Sequence, residues 1–221
     1  MDLKITLASN SPRRRQLLGW LGIDFVSRPA DIDESALPGE LPRPYVLRLA
    51  ESKARAAAHN PSCDRLVLAA DTIVADGNAL LGKPDGENGA RGMLNALRGR
   101  THQVHTALAL LEPPDGRLLT ELCSTNVPMR AYTDAEMEAY IASGDPLDKA
   151  GAYAIQSVEF HPVEQFSGCY ASVMGLPMCH LLRALRRWGA APDVDVAQIC
   201  RENLHYHCPI SEAVLRGEAI G

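Results

Sequence analysis

The sequence predicts an α/β fold. Short apolar runs that are typical of strands alternate with segments whose apolar residues recur at helical spacing, and this alternation is the first observation behind the assignment. Composition is the second. The chain has 221 residues, of which 46% are hydrophobic and 22% charged, which is enough for the core of one globular domain or of two small lobes and excludes a disordered or fibrous protein.

The N-terminal half already shows the alternation. Its predicted elements are a strand at 4–8, a helix from Pro12 to about Leu21, a longer helix at 42–60, a buried strand at 65–70 and a hairpin at 72–84. Pro12 occupies the first helical position, where proline is favoured. The hairpin is predicted because Asp76-Gly77 suits a tight turn that needs positive φ.

The C-terminal half continues with better-marked boundaries. Its predicted elements are a helix at 86–99, two long strands within 101–131, a helix at 133–144, a polar loop at 145–151, short strands up to Met174 and a helix at 176–189. The helix at 133–144 begins with a capping box formed by Thr133 and Glu136. After Gly189 the patterning weakens, which indicates an appended tail.

Net charge limits the classes of partner. The chain has a formal charge of −5 and a pI near 5.8, so we expect neither nucleic acid nor an anionic membrane as its main partner. No apolar run approaches the roughly 18 residues of a membrane span. The cysteines are scattered without a CxxC pair and the N-terminus has no apolar signal segment, which favours a soluble protein in a reducing cytoplasm.

Three consecutive arginines at the start of the first predicted helix are the first sign of a site. A helix N-terminus carries a partial positive charge, so each cation there is disfavoured by roughly 0.3–1 kcal/mol. Arg14 nevertheless lies on the same stripe as Leu17 and Leu18, which directs it toward the protein. An anionic ligand at this helix N-terminus would supply the missing negative charge, which predicts a phosphate site.

The second long helix repeats this pattern. Lys53 lies on the same face as the apolar Val46, so a second cation is predicted to be buried, and buried charges need partners. The alternative is that Arg14 and Lys53 extend from the edges of their stripes and pair with local acids such as Glu51 or Asp31.

A carboxylate follows the second predicted strand. Asp71 ends the apolar run at 65–70, and in α/β sheets ligands bind beyond the carboxyl ends of strands, where a carboxylate can hold a metal or activate water. Its alternative interpretation is a turn or cap residue. Further polar candidates, each with a plain surface role as the alternative, are Lys83, Asp148, Lys149 and Gln156.

Several short motifs occur in one order along the chain. They are ASNSPRRRQLL at 8–18, ESKA at 51–54, AADTIV at 69–74, LGKP at 81–84, GRTHQVHTALAL at 99–110, SGDPLDKAGAYAIQ at 143–156 and GLPM at 175–178. As a set they resemble the Maf family of nucleoside triphosphate pyrophosphatases, over roughly Lys4 to Trp188. The resemblance implies an elongated mixed sheet flanked by helices, with two lobes and a cleft, similar to the inosine triphosphate pyrophosphatases.

The resemblance also implies an activity, namely hydrolysis between the α and β phosphates of a nucleoside triphosphate. Asp71 is then the base that activates water and, with Glu34, a ligand of a divalent metal cation (Mg, Mn or Co). The alternative for Glu34 is an exposed loop acid. The residues expected near the triphosphate are Ser9, Arg14, Lys53 and Lys83. This agrees with the chemistry, because a polyanionic substrate needs cations to balance its developing charge.

Within the resembling family, three positions vary with the substrate. In this chain they are Arg13, Thr72 and Gln156, and the subgroup with this pattern acts on dTTP and UTP, whereas Trp, Gln and Glu mark the subgroup that prefers 7-methyl-GTP. The Gln156 amide supplies a donor and an acceptor, which suits the O4/N3–H edge of uracil or thymine. Modified pyrimidine nucleotides such as pseudo-UTP fit as well, which implies a housecleaning role.

Two positions depart from the family pattern. Ser157 follows Gln156 where Gly is usual, and Ser172 stands where Asn is usual. The first departure concerns the loop near the base, and the second concerns the contacts of a late loop. Neither touches Asp71 or the basic residues.

The resemblance divides the chain near residue 190. Residues 1–190 are expected to form the Maf-like nucleotide pyrophosphatase domain and residues 191–221 a C-terminal tail. The tail contains metal-capable side chains, namely Cys200, His205, His207 and Cys208. Their spacing matches no zinc motif, so we expect an ordinary tail.

Two other functions stay open at this point. One is a pyrophosphatase for 7-methyl-GTP or inosine triphosphate, and the other is a non-catalytic nucleotide-binding regulator of septum formation, the role after which the family is named. Asp71 disfavours pure binding, because a carboxylate that faces a triphosphate is repulsive unless a metal or a proton transfer uses it. A homodimer is a further expectation.

Overall fold

The computed structural model describes residues 3–60, 63 and 65–221. Its strands are β1 (Lys4–Leu7), β2 (Asp24–Ser27), β3 (Leu66–Asp76), β4 (Ala79–Leu81), β5 (Thr101–Leu111) and β6 (Leu118–Pro128). Its α-helices are α1 (Pro12–Gly19), α2 (Pro42–Ala58), α3 (Gly86–Leu97), α4 (Asp134–Ala142), α5 (Tyr170–Met174), α6 (Met178–Trp188), α7 (Val196–Leu204) and α8 (Ser211–Leu215). Over these described ranges, no helix is long and apolar enough to cross a membrane.

The strands form one mixed sheet in the order β2-β1-β3-β5-β6, with β4 paired to the end of β3. β1 is parallel to β2 and β3, whereas β5 is antiparallel to both β3 and β6. The pairing of β1 with β3 ends at Leu68, and β4 pairs with the same strand only from Val74 onward. Asp71 and Thr72 lie between these two pairings, just beyond the carboxyl end of β1. At these two residues, this edge of β3 is paired with neither β1 nor β4.

Three apolar clusters place the helices around this sheet. One packs α1, α6, α7 and α8 on one face, and a second packs α2 on the opposite face. The third joins α3 and α4 to Val74, Val104 and Val127 at the far ends of the long strands. The first two clusters form one lobe and the third forms the other, so the expected α/β architecture of a mixed sheet flanked by helices, with two lobes and a cleft, is confirmed.

Several local predictions are also confirmed. Helices α1 and α2 begin at the predicted prolines, and the capping box of Thr133 and Glu136 is present at the start of α4. β3 and β4 form the predicted hairpin, in which Gly77 has a φ of 60°.

Two local predictions are wrong, and one strand was missed. β3 continues past Asp71 to Asp76, because its long antiparallel partner β5 extends the pairing, so Asp71 lies within a strand and not at its end. The four-residue strand β2 was not predicted, since it is a short, half-buried edge. The segment between the predicted polar loop and Met174, where short strands were expected, contains turns, an isolated bridge from Val163 to Met129 and helix α5.

The segment after Gly189 packs onto the first lobe. Val196 and Cys200 of α7 and Val214 of α8 are buried in the same apolar cluster as α6. The residues of the expected tail therefore contribute to the core of this lobe. The division of the chain at residue 190 stays a prediction.

Candidate active site

A polar cavity of about 690 Å³ lies in the cleft between the two lobes. Its walls include residues from all three apolar clusters, such as Ile73, Tyr153 and Met174. Every site residue singled out in the sequence lines it, namely Ser9, Arg13, Arg14, Glu34, Lys53, Asp71, Thr72, Lys83 and Gln156. The fold thus brings together residues that are up to 147 positions apart in the chain (156 − 9).

Arg14 is held by distant parts of the chain. Helix α1 is capped by the Ser11 hydroxyl, which accepts a hydrogen bond from the backbone N–H of Arg14. The Arg14 Nε donates to the Gly175 carbonyl at 2.9 Å. Its terminal nitrogens donate to the hydroxyls of Ser9 at 3.3 Å and Thr72 at 3.1 Å. The Arg14 side chain therefore points into the cleft, as its place on the helical stripe predicts.

The surroundings of Arg14 favour an anion. Burial lowers the pKa of Arg14, and the nearby charge of Asp71 opposes this shift. The acceptors that the guanidinium contacts in the described residues are neutral oxygens, so its charge is solvated by dipoles and not neutralised by direct contact with a carboxylate. A phosphate oxygen would supply a charge-assisted partner.

Two glycines permit the close approaches around the cleft. Gly175 has a φ of 116°, and a Cβ added to it would lie 3.3 Å from the Arg14 Nε and 3.6 Å from the Thr72 Oγ1. Gly151 has a φ of 69°, and its Cβ would lie 2.9 Å from a methyl carbon of Val74. Glycine is required at both positions because the backbone is left-handed and the space is already occupied.

Lys53 lies between two carboxylates. Its Nζ is 2.5 Å from the Asp71 Oδ1 and 2.7 Å from the Glu34 Oε1. The predicted burial of Lys53 is confirmed, since only 9% of the residue is exposed. The alternative pairing with Glu51 is wrong, because Glu51 pairs with Arg55 on the outer face of α2.

The environment of Asp71 suits a proton acceptor. Burial raises the pKa of the Asp71 carboxyl, while the charges of Lys53 and Arg14 act in the opposite direction. A carboxylate with a raised pKa is a stronger base than a solvated one. Asp71 is nevertheless still reachable from the cleft, because it lines the cavity wall.

The loop that carries Glu34 is fastened to α2. The Tyr45 hydroxyl donates to the Glu34 carbonyl at 2.8 Å, and Arg48 donates to the Ser35 carbonyl at 3.0 Å. Arg48 also forms an ion pair with Glu40, 2.6 Å away, near the end of the same loop. The Glu34 side chain itself is 57% exposed, so it lies at the cleft entrance while its backbone is held in place.

The second lobe supplies the opposite wall. Lys83 and Gln156 are exposed on this wall, whereas Arg13, on α1 of the first lobe, is half-buried at the mouth of the cleft. Lys149 is fixed by contacts to the Asp145 carbonyl at 2.5 Å and to the Asp148 carboxylate at 2.7 Å. This wall therefore places cations and an amide across from Asp71 and Lys53.

The two carboxylates of the cleft fit a hard divalent cation. Glu34 and Asp71 contact the same ammonium group, so their oxygens lie close together. Mg²⁺ is commonly held by one or two carboxylates together with substrate phosphates. In the described residues no group of three or more His, Cys, Asp or Glu side chains is arranged to hold a metal, so phosphate oxygens and water would have to complete the shell.

Some contacts at the site were not predicted from the sequence. Thr106 bridges the site, because its Oγ1 lies 3.0 Å from that of Thr72 and donates to the Ser172 carbonyl at 2.8 Å. The Gly175 carbonyl and the Tyr45 hydroxyl are the other missed partners. Gly175 lies in the GLPM motif and Thr106 in the motif GRTHQVHTALAL, but neither motif indicated these contacts.

The fold and the cleft together define the class of protein, namely an α/β protein with a cleft suited to a polyanionic ligand. A mixed sheet with an interrupted edge presents a buried carboxylate, a second carboxylate and several cations to one cavity. This arrangement can bind a polyanion and expose it to a base.

Sequence comparison then identifies the family. A family model described as "Maf-like protein" matches residues 4–188, and the chain belongs to the Maf family. A dTTP/UTP pyrophosphatase of Anaeromyxobacter dehalogenans is 47% identical over 191 residues, which cover 86% of this chain and 96% of that protein. A dTTP/UTP pyrophosphatase of Methylobacillus flagellatus is 45% identical over 195 residues, which cover 86% of this chain and 97% of that protein.

Solved structures show a weaker likeness. The Ham1 protein of Staphylococcus aureus matches with a TM-score of 0.46 and 15% identity, covering 84% of this chain and 99% of that chain. A HAM1 protein of Coxiella burnetii matches with a TM-score of 0.46 and 18% identity, covering 71% of this chain and 89% of that chain.

Proposed function

We propose that the protein hydrolyses dTTP and UTP to the nucleoside monophosphate and pyrophosphate, with a divalent cation as cofactor. Support comes from membership of the Maf family and from relatives, aligned over most of their length, that are named dTTP/UTP pyrophosphatases. The observation that carries the chemistry is Asp71, a buried carboxylate with a raised pKa that lines a cleft containing several cations.

The cations bind the triphosphate in this account. The planar guanidinium of Arg14 is held by hydrogen bonds to Ser9, Thr72 and Gly175, and Lys83 extends from the opposite wall. Lys53 keeps Asp71 and Glu34 from repelling the incoming phosphates, because its ammonium lies against both carboxylates.

Asp71 accepts the proton of the attacking water. The water oxygen forms a bond to the α-phosphorus as the bond from that phosphorus to the bridging oxygen breaks, and pyrophosphate leaves. The proton passes to the Asp71 carboxylate, whose raised pKa increases its affinity for it. One water is consumed for each nucleotide.

Glu34 and Asp71 are the residues that would hold the metal. Mg²⁺, Mn²⁺ or Co²⁺ all accept carboxylate oxygens. When bound, such a cation neutralises charge on the phosphate oxygens and orients them for in-line displacement. The fixed backbone of the Glu34 loop, held by Tyr45 and Arg48, supports this role.

Base preference is assigned to Arg13, Thr72 and Gln156. The exposed Gln156 amide presents a donor and an acceptor to the cleft, which matches the O4/N3–H edge of a pyrimidine and extends to modified pyrimidine nucleotides. Thr72 also accepts a hydrogen bond from Arg14, so it links base selection to phosphate binding. A carboxylate at position 156 would instead favour the donor edge of a guanine.

Location and assembly are part of the same proposal. We assign the protein to the cytoplasm, where its nucleotide substrates are found, and we expect a homodimer. The catalytic proposal is preferred over a non-catalytic regulator of septum formation, since Lys53 and Asp71 form a charged pair that a pure binding site for an anion does not need.

Product analysis tests the proposal. The purified chain is incubated with dTTP, UTP, 7-methyl-GTP or inosine triphosphate, with Mg²⁺, Mn²⁺ or excess chelator, and the products are separated by anion-exchange chromatography. We expect monophosphate and pyrophosphate, fastest from dTTP and UTP, and none with chelator. Diphosphate and free phosphate as primary products would contradict the reaction, and a preference for 7-methyl-GTP or inosine triphosphate would contradict the substrate assignment.

A further inference from the structure

The C-terminal extension, residues 189–221, lies beyond the family match, which ends at residue 188. Several cysteine thiols lie close together where the extension packs against the core. One small cavity beneath it is lined by Cys169, Cys179, Cys200 and Cys208. Two of these cysteines belong to the extension and two to the Maf-family part of the chain.

Contacts to Gly168 hold the extension next to Cys169. The Tyr206 hydroxyl accepts a hydrogen bond from the Gly168 backbone N–H at 3.0 Å, and the Cys208 Sγ lies 3.6 Å from the Gly168 carbonyl oxygen. Cys169, the next residue, lines the same small cavity as Cys208, and the neighbouring thiols of Cys123 and Cys208 raise the pKa of its thiol. Cys169 and Cys208 are therefore neighbours in space although they are 39 positions apart in the chain (208 − 169).

The two thiols have unequal surroundings. Cys208 is partly exposed, and hydrogen bonds from the Cys169 thiol and from the backbone N–H groups of Ile210 and Ser211 lower its pKa. Cys169 is buried, with 5% of its surface exposed, and its pKa is raised by its hydrogen bonds to the neighbouring thiols and by burial. An accessible thiolate beside a buried thiol is the arrangement of an attacking and a resolving cysteine.

Cys169 is also connected to the cleft. It is the residue before α5, a helix of only five residues whose C-cap is Gly175. The Gly175 carbonyl holds the Arg14 Nε, and the Ser172 carbonyl within α5 accepts from Thr106. A displacement of Cys169 is thus transmitted by one short helix to the acceptors that orient Arg14.

We propose that Cys169 and Cys208 form a thiol–disulfide modification site at which a low-molecular-weight disulfide links the C-terminal extension to the segment that supports the nucleotide cleft. The linkage alters the cleft because the two sulfur atoms must approach to about 2.05 Å, well inside any non-bonded separation. The site is separate from the proposed catalytic residues.

The chemistry is two successive exchanges. The Cys208 thiolate attacks one sulfur of the small disulfide, which breaks the S–S bond and releases one thiolate. Cys169 then loses its proton to that thiolate and attacks the Cys208 sulfur of the mixed disulfide, which releases the second half of the small disulfide as a thiolate. Two cysteine thiols are oxidised and one external disulfide is reduced.

Disulfide mapping tests the site without reference to the proposed function. The full chain is equilibrated anaerobically with graded ratios of oxidised to reduced glutathione, alkylated and digested, and the unreduced peptides are identified by mass spectrometry. We expect a Cys169–Cys208 linkage that reverts with dithiothreitol and is absent from Cys208→Ser. No internal disulfide, or a linkage of Cys169 to Cys123, would overturn the proposal.

Cys63 provides the matched control. It is also partly exposed, but its thiol contacts Thr6 and Arg65, away from the extension. Cys63→Ser should therefore retain the Cys169–Cys208 linkage. Loss of the linkage in this variant would overturn the assignment.

Activity measurements test the coupling to the cleft, and this arm depends on the proposed function. Oxidation should lower kcat/KM for dTTP by about tenfold in the wild type, since misplacement of a binding group by about 1 Å costs up to about 10²-fold. Cys208→Ser under the same treatment should be unaffected. Unchanged kcat/KM in a fully linked protein would overturn the coupling. Absence of any activity before oxidation would instead count against the pyrophosphatase proposal, while the mapping result would stand by itself.

Discussion

Asp71 in β3 and Glu121 in β6 are both buried, with 7% and 8% of their surface exposed, but their charges are balanced differently. Arg183 donates to both oxygens of Glu121, at 3.1 and 2.5 Å, and Arg187 adds a third contact at 3.3 Å. A terminal nitrogen of Arg183 also donates a hydrogen bond to the Glu218 carbonyl, 2.6 Å away. Asp71 receives one ammonium contact, from Lys53, which it shares with Glu34.

This difference separates a structural carboxylate from a reactive one. The Arg183 guanidinium occupies both oxygens of Glu121 and fixes α6 to the sheet. Few acceptor positions on this carboxylate are therefore left for a ligand. Lys53 is a point charge that Asp71 shares with Glu34, and burial raises the pKa of Asp71. Burial alone therefore does not identify the active carboxylate, whereas incomplete coordination beside an open cleft does.

The largest effect is expected at Asp71. Asp71→Asn removes the proton acceptor while keeping size and polarity, so kcat for dTTP should fall by about 10²–10⁴-fold. The free energy of unfolding at neutral pH should not fall. A raised folded-state pKa means that the charged carboxylate is less favourable in the folded protein than in the unfolded chain, and this penalty grows as pH rises above the unfolded value.

Asp76 supplies the control for that measurement. It lies on the same strand but pairs with Arg100 at the surface, outside the cleft. Asp76→Asn should leave kcat within about twofold of wild type, as expected for a surface change away from the site. Near-normal turnover of Asp71→Asn, with urea unfolding unchanged, would return Asp71 to a structural role.

Glu121 should show the opposite pattern. Glu121→Gln leaves Arg183 without its buried counter-charge, which is expected to lower the free energy of unfolding by about 3 kcal/mol or more. Below the unfolding transition, kcat for dTTP should stay close to wild type. Urea unfolding and steady-state kinetics on one preparation check both parts. A loss of kcat without a loss of stability would remove the distinction between the two carboxylates.

Arg14 should have an intermediate effect that is the same for all nucleotides. Arg14→Ala removes charge-assisted contacts to phosphates, which are common to every substrate, so kcat/KM should fall by about 10- to 150-fold, equivalent to about 1.5–3 kcal/mol. Arg15→Ala is the matched control, since Arg15 is exposed and contacts only the Asn10 carbonyl among the described residues. Equal losses in the two variants would contradict the inward role of Arg14.

The smallest effect in total activity is expected at Gln156. Gln156→Glu removes the amide donor, so kcat/KM for dTTP and UTP should fall by about tenfold while the value for 7-methyl-GTP should not fall. Specificity constants for the variant and wild type on these three nucleotides decide the matter. A uniform loss would make Gln156 a structural residue and remove the support for pyrimidine selection.

Local patterns were sufficient to predict the elements that carry the cations. Arg14 and Lys53 lie on helices in which the spacing of the apolar residues indicates the inward face, and both point into the cleft. The position of Asp71 in the chain was predicted but its place within β3 was not, because strand length depends on the partner β5 and not on the apolar run itself.

Contacts between distant segments could not be predicted in this way. Arg14 and Gly175 are 161 positions apart, and nothing periodic in the sequence indicates that a carbonyl there accepts from a guanidinium. Helix α5 has five residues, too few for a helical period to be recognised. The packing of the C-terminal extension was missed because its helices bury few residues each, mainly Val196, Cys200 and Val214.

Hydrolysis in ¹⁸O-labelled water tests the central claim most directly. If Asp71 activates a water that attacks the α-phosphorus, then a single turnover of dTTP places the label in dTMP and leaves pyrophosphate unlabelled. Mass spectrometry of the two products distinguishes the outcomes. Label in pyrophosphate would show attack at the β-phosphorus and would contradict the mechanism, and label in free phosphate would contradict the reaction itself.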